Sequence, residues 1–235
     1  MTWRDLIEKE ETSHEPVERL WETHAESFGN QAIDKSTGRL YIHHLAIAAS
    51  SSTIEAFLSS RKDDIDLNAY DDAGWTPLMI AASSNNSEAL KTLILIGKVD
   101  LNLKSRNSSQ STALMYAISK GNMNCFKFLA ENKANLKLRD SQKFTILHKA
   151  VATNNVDISR QIILLKIDGM INSRDIEGNT PLHLACEDLN QQLVILLLEN
   201  GADPKLENSS QKTALQCIAN FDAQVKFKKI FSNYV

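Results

Sequence analysis

Proline, cysteine and glycine are all scarce in this chain. Among 235 residues there are four prolines, three cysteines and eight glycines. Cys125, Cys186 and Cys217 are an odd set without metal-ligand spacing, which argues against a disulfide framework or a zinc site. They read as small buried thiols in a reducing compartment. No apolar run approaches the roughly 20 residues that cross a bilayer, so no membrane segment is expected. A net charge of −3 supplies no basic field for nucleic acid or an anionic membrane. No glycine-rich phosphate loop occurs, and His14, His24, His43, His44, His148 and His183 form no catalytic or metal-binding constellation. No catalytic residue, cofactor or metal is expected.

What the chain does have is one short frame, repeated. It is clearest at Gly178-Asn179-Thr180-Pro181-Leu182-His183-Leu184-Ala185. Thr180 is a good helix N-cap, and Pro181 falls at the first helical position, where its missing N–H costs nothing. Leu182 and Ala185 lie on one face, and His183 can bond back to neighbouring backbone. Gly178 closes a turn with Asp175. The frame recurs with first positions Tyr41, Thr76, Thr112, Thr145, Thr180 and Thr213, the copy at Tyr41 being worn. The steps are 35, 36, 33, 35 and 33. This resembles the ankyrin repeat, whose T-P-L-H-x-A helix start recurs at about 33 residues. The resemblance implies an all-α ankyrin-repeat solenoid of seven helix-turn-helix repeats with β-hairpin tips, elongated and forming one domain over 1–235.

Residues 1–38 lack the frame, and Trp3, Leu6, Ile7 and then Val17, Leu20, Trp21, Phe28 suggest two helices of a degenerate capping repeat. Repeats are expected over 39–72, 73–108, 109–141, 142–176 and 177–209, with 210–235 as the C-terminal cap. The expected outer helices begin near Thr53, Glu88, Asp157 and Gln191, with Gly97 as the C-cap of the second. The loop from Lys98 to Ser111 is about three residues longer than its counterparts. It predicts a larger, mobile tip at Arg106–Ser111. Lys143 stands where a tip usually has glycine.

Stacking lines up the tips and inner helices into a concave face, where residues that the frame does not need are free to bind. They are Asp72, Ala73 and Trp75, then Arg106 and Gln110, then Ser141, Gln142, Lys143 and Phe144, then Ile176, Glu177 and Asn179. Trp75 is either an exposed aromatic anchor or a ring packed over the neighbouring tip. Early tips and flanks carry Asp63, Asp64, Asp66, Asp71 and Asp72, and later ones Arg106, Arg139, Lys143, Lys149 and Arg174. That polarity would orient a partner.

Longer stretches narrow the resemblance. Asp71-Asp72-Ala73-Gly74-Trp75-Thr76-Pro77-Leu78-Met79-Ile80-Ala81-Ala82-Ser83 resembles the third repeat of the gankyrin family of proteasome assembly chaperones. The run from Asp175 to Cys186 resembles its sixth repeat. Glu207-Asn208 with Lys212-Thr213-Ala214-Leu215-Gln216 resembles its seventh. Length and repeat count fit too. The resemblance implies a monomer whose concave face holds the C-terminal domain of one proteasomal ATPase subunit of the 19S base, delaying docking on the 20S core. It places Asp71, Asp72, Trp75 and Arg139 at matching interface positions. Arg39 is nearest to a family arginine but sits one residue early. Arg106, Tyr116, Lys143, Lys149, Arg174 and Glu177 complete the candidate face. Leu184-Ala185-Cys186-Glu187-Asp188 approaches a retinoblastoma-type L-x-C-x-E motif, but it ends in Asp and lies in an inner helix, so that binding is not inferred. The alternative is an ankyrin adaptor or inhibitor with another partner, such as a kinase or transcription factor. The opening Met1-Thr2-Trp3-Arg4-Asp5 leads into acidic residues rather than an apolar stretch, so no leader is expected and the location is expected to be cytoplasmic and nuclear.

Overall fold

The computed structural model describes residues 39, 41–60, 65–96 and 98–234. The expected capping repeat 1–38 and the C-cap Gly97 lie outside the described residues. Helices come in pairs: α1 (Tyr41–Ala48) with α2 (Ser51–Ser60), α3 (Pro77–Ser83) with α4 (Ser87–Leu95), α5 (Ala113–Ser119) with α6 (Met123–Glu131). They continue with α7 (Ile146–Ala152) and α8 (Val156–Leu164), then α9 (Pro181–Glu187) and α10 (Gln191–Glu199). A 3-10 turn (Ala214–Cys217) and α11 (Phe221–Phe231) end the array. Successive inner helices α1, α3, α5, α7 and α9 pack on one another. The core is one continuous cluster running from Ile42 through Leu78, Leu114, Leu147 and Leu182 to Phe231. No described helix is long and apolar enough to cross a membrane.

Local chemistry sets each boundary. The Thr76 and Thr112 hydroxyls accept from the N–H of Met79 and Met115, the third residue of each inner helix. The outer helices start at asparagines: Asn86, Asn155 and Asn190 each accept from the N–H three residues on. These caps place the first helical residues at Ser87 and Val156, one before the expected Glu88 and Asp157. They carry as much boundary information as the threonines.

His148 and His183 each tie their own repeat to the next. His183 Nε2 lies 3.0 Å from the Lys212 carbonyl, and His148 Nε2 3.2 Å from that of Asn179. A carbonyl can only accept, so Nε2 carries the proton. Nδ1 is then the acceptor facing the Thr145 or Thr180 hydroxyl at 2.8 Å. The ring is satisfied as neutral imidazole. Burial accordingly pushes His148 down to about 4 and also lowers His183 and His43.

Two expectations need correction. The worn first frame runs one residue earlier than Tyr41. Tyr41 opens its helix as Pro181 does, and His43, 0% exposed, takes the place of His183 and reaches the Ala69 carbonyl at 3.1 Å. Arg39 therefore stands immediately before the frame, where the gankyrin resemblance requires it. The second correction concerns the seventh inner helix, which is only a 3-10 turn. Phe221 starts α11 eight positions after Thr213, whereas eleven separate Thr180 from Gln191. The three missing residues leave no room for two α-helical turns.

The tips are turns rather than β-hairpins. Among the described residues there is no strand, and the bridges, such as Lys104–Thr112 and Glu207–Thr213, stay isolated because the chain enters a helix directly after each closing bond. Each tip bonds to the next: Arg106 N–H to Gly74 O, Ser141 to Ser109, Ile176 to Gln142 and Ser209 to Glu177, at 2.9 to 3.0 Å. This approach explains Gly178. With φ at +79°, an added Cβ would lie 2.8 Å from Ser209 N. Lys143, at the equivalent position, adopts φ 59° despite its side chain.

Gly178→Ala is expected to destabilise the array by about 2 kcal/mol through backbone strain and the lost tip contact. Urea titration of the two proteins measures it, and an unchanged midpoint would refute the close-approach argument. Acid gives a second test. Below pH 6.5 the unfolded chain protonates His148 while the folded chain stays neutral until about pH 4, so stability declines through that window. Between pH 7 and pH 5 His148 alone accounts for about 2 kcal/mol. His148→Gln should show a shallower fall by the same denaturation assay.

Candidate protein-binding face

The turn carboxylates build the tips from inside. Asp71, Asp140 and Asp175 are buried, and their Oδ1 atoms accept from the N–H four residues on, at 2.8 Å from Trp75, Phe144 and Asn179. Asn208 repeats the pattern towards Lys212. The second oxygens of two of these carboxylates hold cations: Asp71 Oδ2 meets Arg39 Nε at 3.0 Å, and Asp140 Oδ2 meets Lys149 Nζ at 2.6 Å. Three charges of the expected face, Arg39, Asp71 and Lys149, are thus used internally. Lys149 also lies 5.5 Å from the centroid of the Phe144 ring, which stacks on His148. Asn179, expected to be free, is buried, and its side-chain oxygen accepts from Asn208 Nδ2 at 2.8 Å.

At the centre, Trp75 and Tyr116 stack with centroids 4.2 Å apart and planes 34° apart. The indole is half-buried and packs on Tyr116 of the next repeat's inner helix rather than over the neighbouring tip. Beside it, the exposed Arg106 guanidinium sits 4.0 Å over the Tyr70 ring. Tyr70 was not singled out from sequence, yet it occupies the position of Arg139 and Arg174, one before the turn Asp. All three reach across to the next repeat: Tyr70 OH donates to Lys104 O, Arg139 Nη1 to Arg174 O and Arg174 Nη1 to Glu207 O. Aligning the frames by that position would have found it.

The long tip is built rather than loose. Its closing bond spans Ser105 to Ser111, two residues more than Asp71 to Trp75. Asn107 Oδ1 accepts from the Ser105 and Ser109 hydroxyls, and Asn107 Nδ2 donates to Tyr116 OH at 3.1 Å. Tyr116 OH in turn donates to Ser105 Oγ at 3.2 Å. The extra residues thus fix the tyrosine that carries Trp75.

The structure brings Tyr70, Arg106, Trp75 and Tyr116 together at the third and fourth repeats, with Lys143, Arg139, Arg174 and Glu177 along the following tips. Asp72 and Lys143 are exposed and make no ion pair among the described residues. The expected acidic-to-basic polarity is reshaped. Asp63 and Asp64 lie outside the described residues and Asp71 is offset by Arg39, which leaves Asp66 and Asp72 against Arg106, Arg139, Lys143 and Arg174. Cys186 is 0% exposed and its thiol is pushed up by burial, so the L-x-C-x-E-like stretch offers no accessible cysteine. Among the described residues no group of three or more His, Cys, Asp or Glu is placed to hold a metal.

Tyr116→Phe keeps the stack on Trp75 but deletes the hydroxyl at the hub of the tip. It should cost about 1 kcal/mol and speed amide hydrogen exchange across 107–111. Unchanged exchange there would show that the tip is held by its backbone alone.

Comparison with known proteins agrees with the repeat architecture. Profiles for ankyrin repeats in three copies match residues 11–105 and 89–175, and one for many copies matches 164–217. The chain is 31% identical over 201 residues to the probable 26S proteasome regulatory subunit p28 of Saccharomyces cerevisiae, covering 84% of this chain and 85% of that one. It is 26% identical to the chicken nuclear factor NF-kappa-B p105 subunit over 71% of this chain, but spans only 17% of that protein. One chain of the solved complex of the Bdellovibrio bacteriovorus predatory endopeptidase Bd0816 with immunity protein Bd3460 superposes with a TM-score of 0.67 at 27% identity. That likeness covers 82% of this chain and 94% of the other. The frame, the bonded tips and these likenesses have one explanation: the chain belongs to the ankyrin-repeat family.

Proposed function

We propose that the protein is a gankyrin-like assembly chaperone of the proteasome regulatory particle. It binds the C-terminal domain of one proteasomal ATPase subunit of the 19S base through the concave face and acts in the cytoplasm and nucleus as a binding protein rather than an enzyme. The observation that carries this reading is the likeness to the yeast proteasome subunit, which covers 84% of this chain and 85% of that one. The NF-kappa-B subunit also matches much of this chain, but that stretch is only 17% of the larger protein. The register of Arg39 adds support, since it removes the one-residue mismatch with the family.

The face suits such a partner. Trp75 on Tyr116 and Arg106 on Tyr70 are pre-stacked, so little side-chain freedom is lost on binding. Aromatic and arginine anchors of this kind dominate interface energies. The unpaired Lys143 and the cations beside it favour an acidic surface on the partner, with Asp72 facing a basic residue at the other end.

The test uses the purified chain and the purified C-terminal domains of the proteasomal ATPase subunits from the same organism, with calorimetry as the readout. One domain should bind. Arg106→Glu combined with Lys143→Glu should weaken it about a hundredfold, about 2.7 kcal/mol, without lowering the melting temperature. Binding to none of the ATPase domains would overturn the proposal and leave an adaptor or inhibitor of another partner, the reading that the NF-kappa-B likeness favours.

A further inference from the structure

The internal repeats supply their own control for what an outer-helix end needs. In α6 and α10 the last residues are Glu131-Asn132 and Glu199-Asn200. Each asparagine turns back and donates to the carbonyl four residues earlier, Asn132 to Phe128 at 2.8 Å and Asn200 to Leu196 at 2.7 Å. Each bond adds a side-chain donor to the last turn, where carbonyls run short of partners. At the same register α4 and α8 carry Leu95-Ile96 and Leu164-Leu165 instead. Neither pair can make the cap bond, and neither is buried. Leu95 is 75% exposed, Ile96 37%, Leu164 62% and Leu165 45%.

Folding gains nothing from this exchange. It gives up a hydrogen bond and holds four large aliphatic side chains in water. Single exposed aliphatics are commonplace on soluble proteins, but paired ones repeated at one register with a lost cap are not explained by chance exposure. Next to Leu164 a cleft of about 310 Å³ is lined by Leu147, Ile162, Ile163, Ile167, Met170 and Lys166. Its volume is at the lower end of the range for binding cavities. Along the last two turns of these outer helices and the residues just after them, exposed Lys98, Lys127, Lys133, Lys137 and Lys166 outnumber Asp100, Glu131 and Asp168.

We infer that the outer edge formed by the ends of α4, α6 and α8 is a second docking surface, for an acidic amphipathic helix of a partner protein. Its two apolar anchors sit on Leu95-Ile96 and on the cleft at Leu164-Leu165, and its carboxylates meet the lysines between. Helices pack at about 10 Å, so ends two repeats apart are separated by about 20 Å. A helix rises 1.5 Å per residue, so the partner's anchors are about 13 residues apart. The edge is formed by outer-helix ends, whereas Trp75 and Arg106 belong to the tips, and its occupation is independent of the concave-face proposal.

The experiment places a photo-crosslinking phenylalanine analogue at position 95 or at position 164 of the full chain in its own cells. The crosslinked peptides are then mapped by mass spectrometry. Both positions should capture one polypeptide, at sites about 13 residues apart in an acidic helical segment. A synthetic peptide of that segment should bind the purified chain, and Leu95→Glu with Leu164→Glu should weaken it at least about tenfold at an unchanged melting temperature. Arg106→Glu should leave that binding intact. Crosslinks to two unrelated polypeptides, to a second copy of this chain, to lipid or to nothing would each overturn the inference.

Discussion

The bond from buried His148 and His183 to the carbonyl just before the next repeat's frame is the constraint that fixes the later junctions of the array. It fixes the proton on Nε2, which makes Nδ1 the acceptor that caps the histidine's own helix. One neutral ring thus closes a helix and spaces two repeats. The tip-to-tip backbone bonds repeat that spacing along the same row of turns. Between them they leave each inner helix a single way to stack, and the concave face inherits its geometry from that.

Much of this was legible in the sequence, because the constraint demands particular residue types at fixed offsets. Thr, Leu and Ala at their places in the frame predicted every inner helix from α3 to α9, with His added in α7 and α9. What was not legible came from positions where a residue type serves two ends. Asp71 and Lys149 look like surface charges, yet the turn needs a buried acceptor, and that acceptor then draws in a cation. Asn179 looked free, but the neighbouring Asn208 uses it. The register at Tyr41 was misjudged because two histidines stand side by side, and only burial distinguishes His43 from His44. The shortened seventh inner helix was present in the count of residues between Thr213 and Asn220, a spacing that matching the frame alone does not weigh.

The candidate face divides along the same line. Charged residues inside the turns create rigidity, and those outside create recognition. Arg139 and Arg174 do both, donating to the next repeat while keeping donors at the surface. Trp75 is another intermediate case: its stack on Tyr116 removes the freedom that an isolated indole would have to give up on meeting a partner. The two extra residues of the long tip are what make the hydroxyl of Tyr116 a fixed point.

In a linear array, cooperativity is nearest-neighbour coupling, and the weakest junction decides where disorder enters. The final unit offers its neighbour a single 3-10 turn, with Thr213, Leu215 and Cys217 only half-buried. Its Gln216 closes a local cap in the place where His148 and His183 bridge onward. Among the described units this one is coupled to a neighbour on one side only, through His183, Arg174 and Glu177. Opening should therefore begin at the C-terminal unit and proceed inwards one repeat at a time, with the Trp75–Tyr116 region among the last to be lost. Partial unfolding from that end would shorten the protein without erasing the part that carries its aromatic anchors.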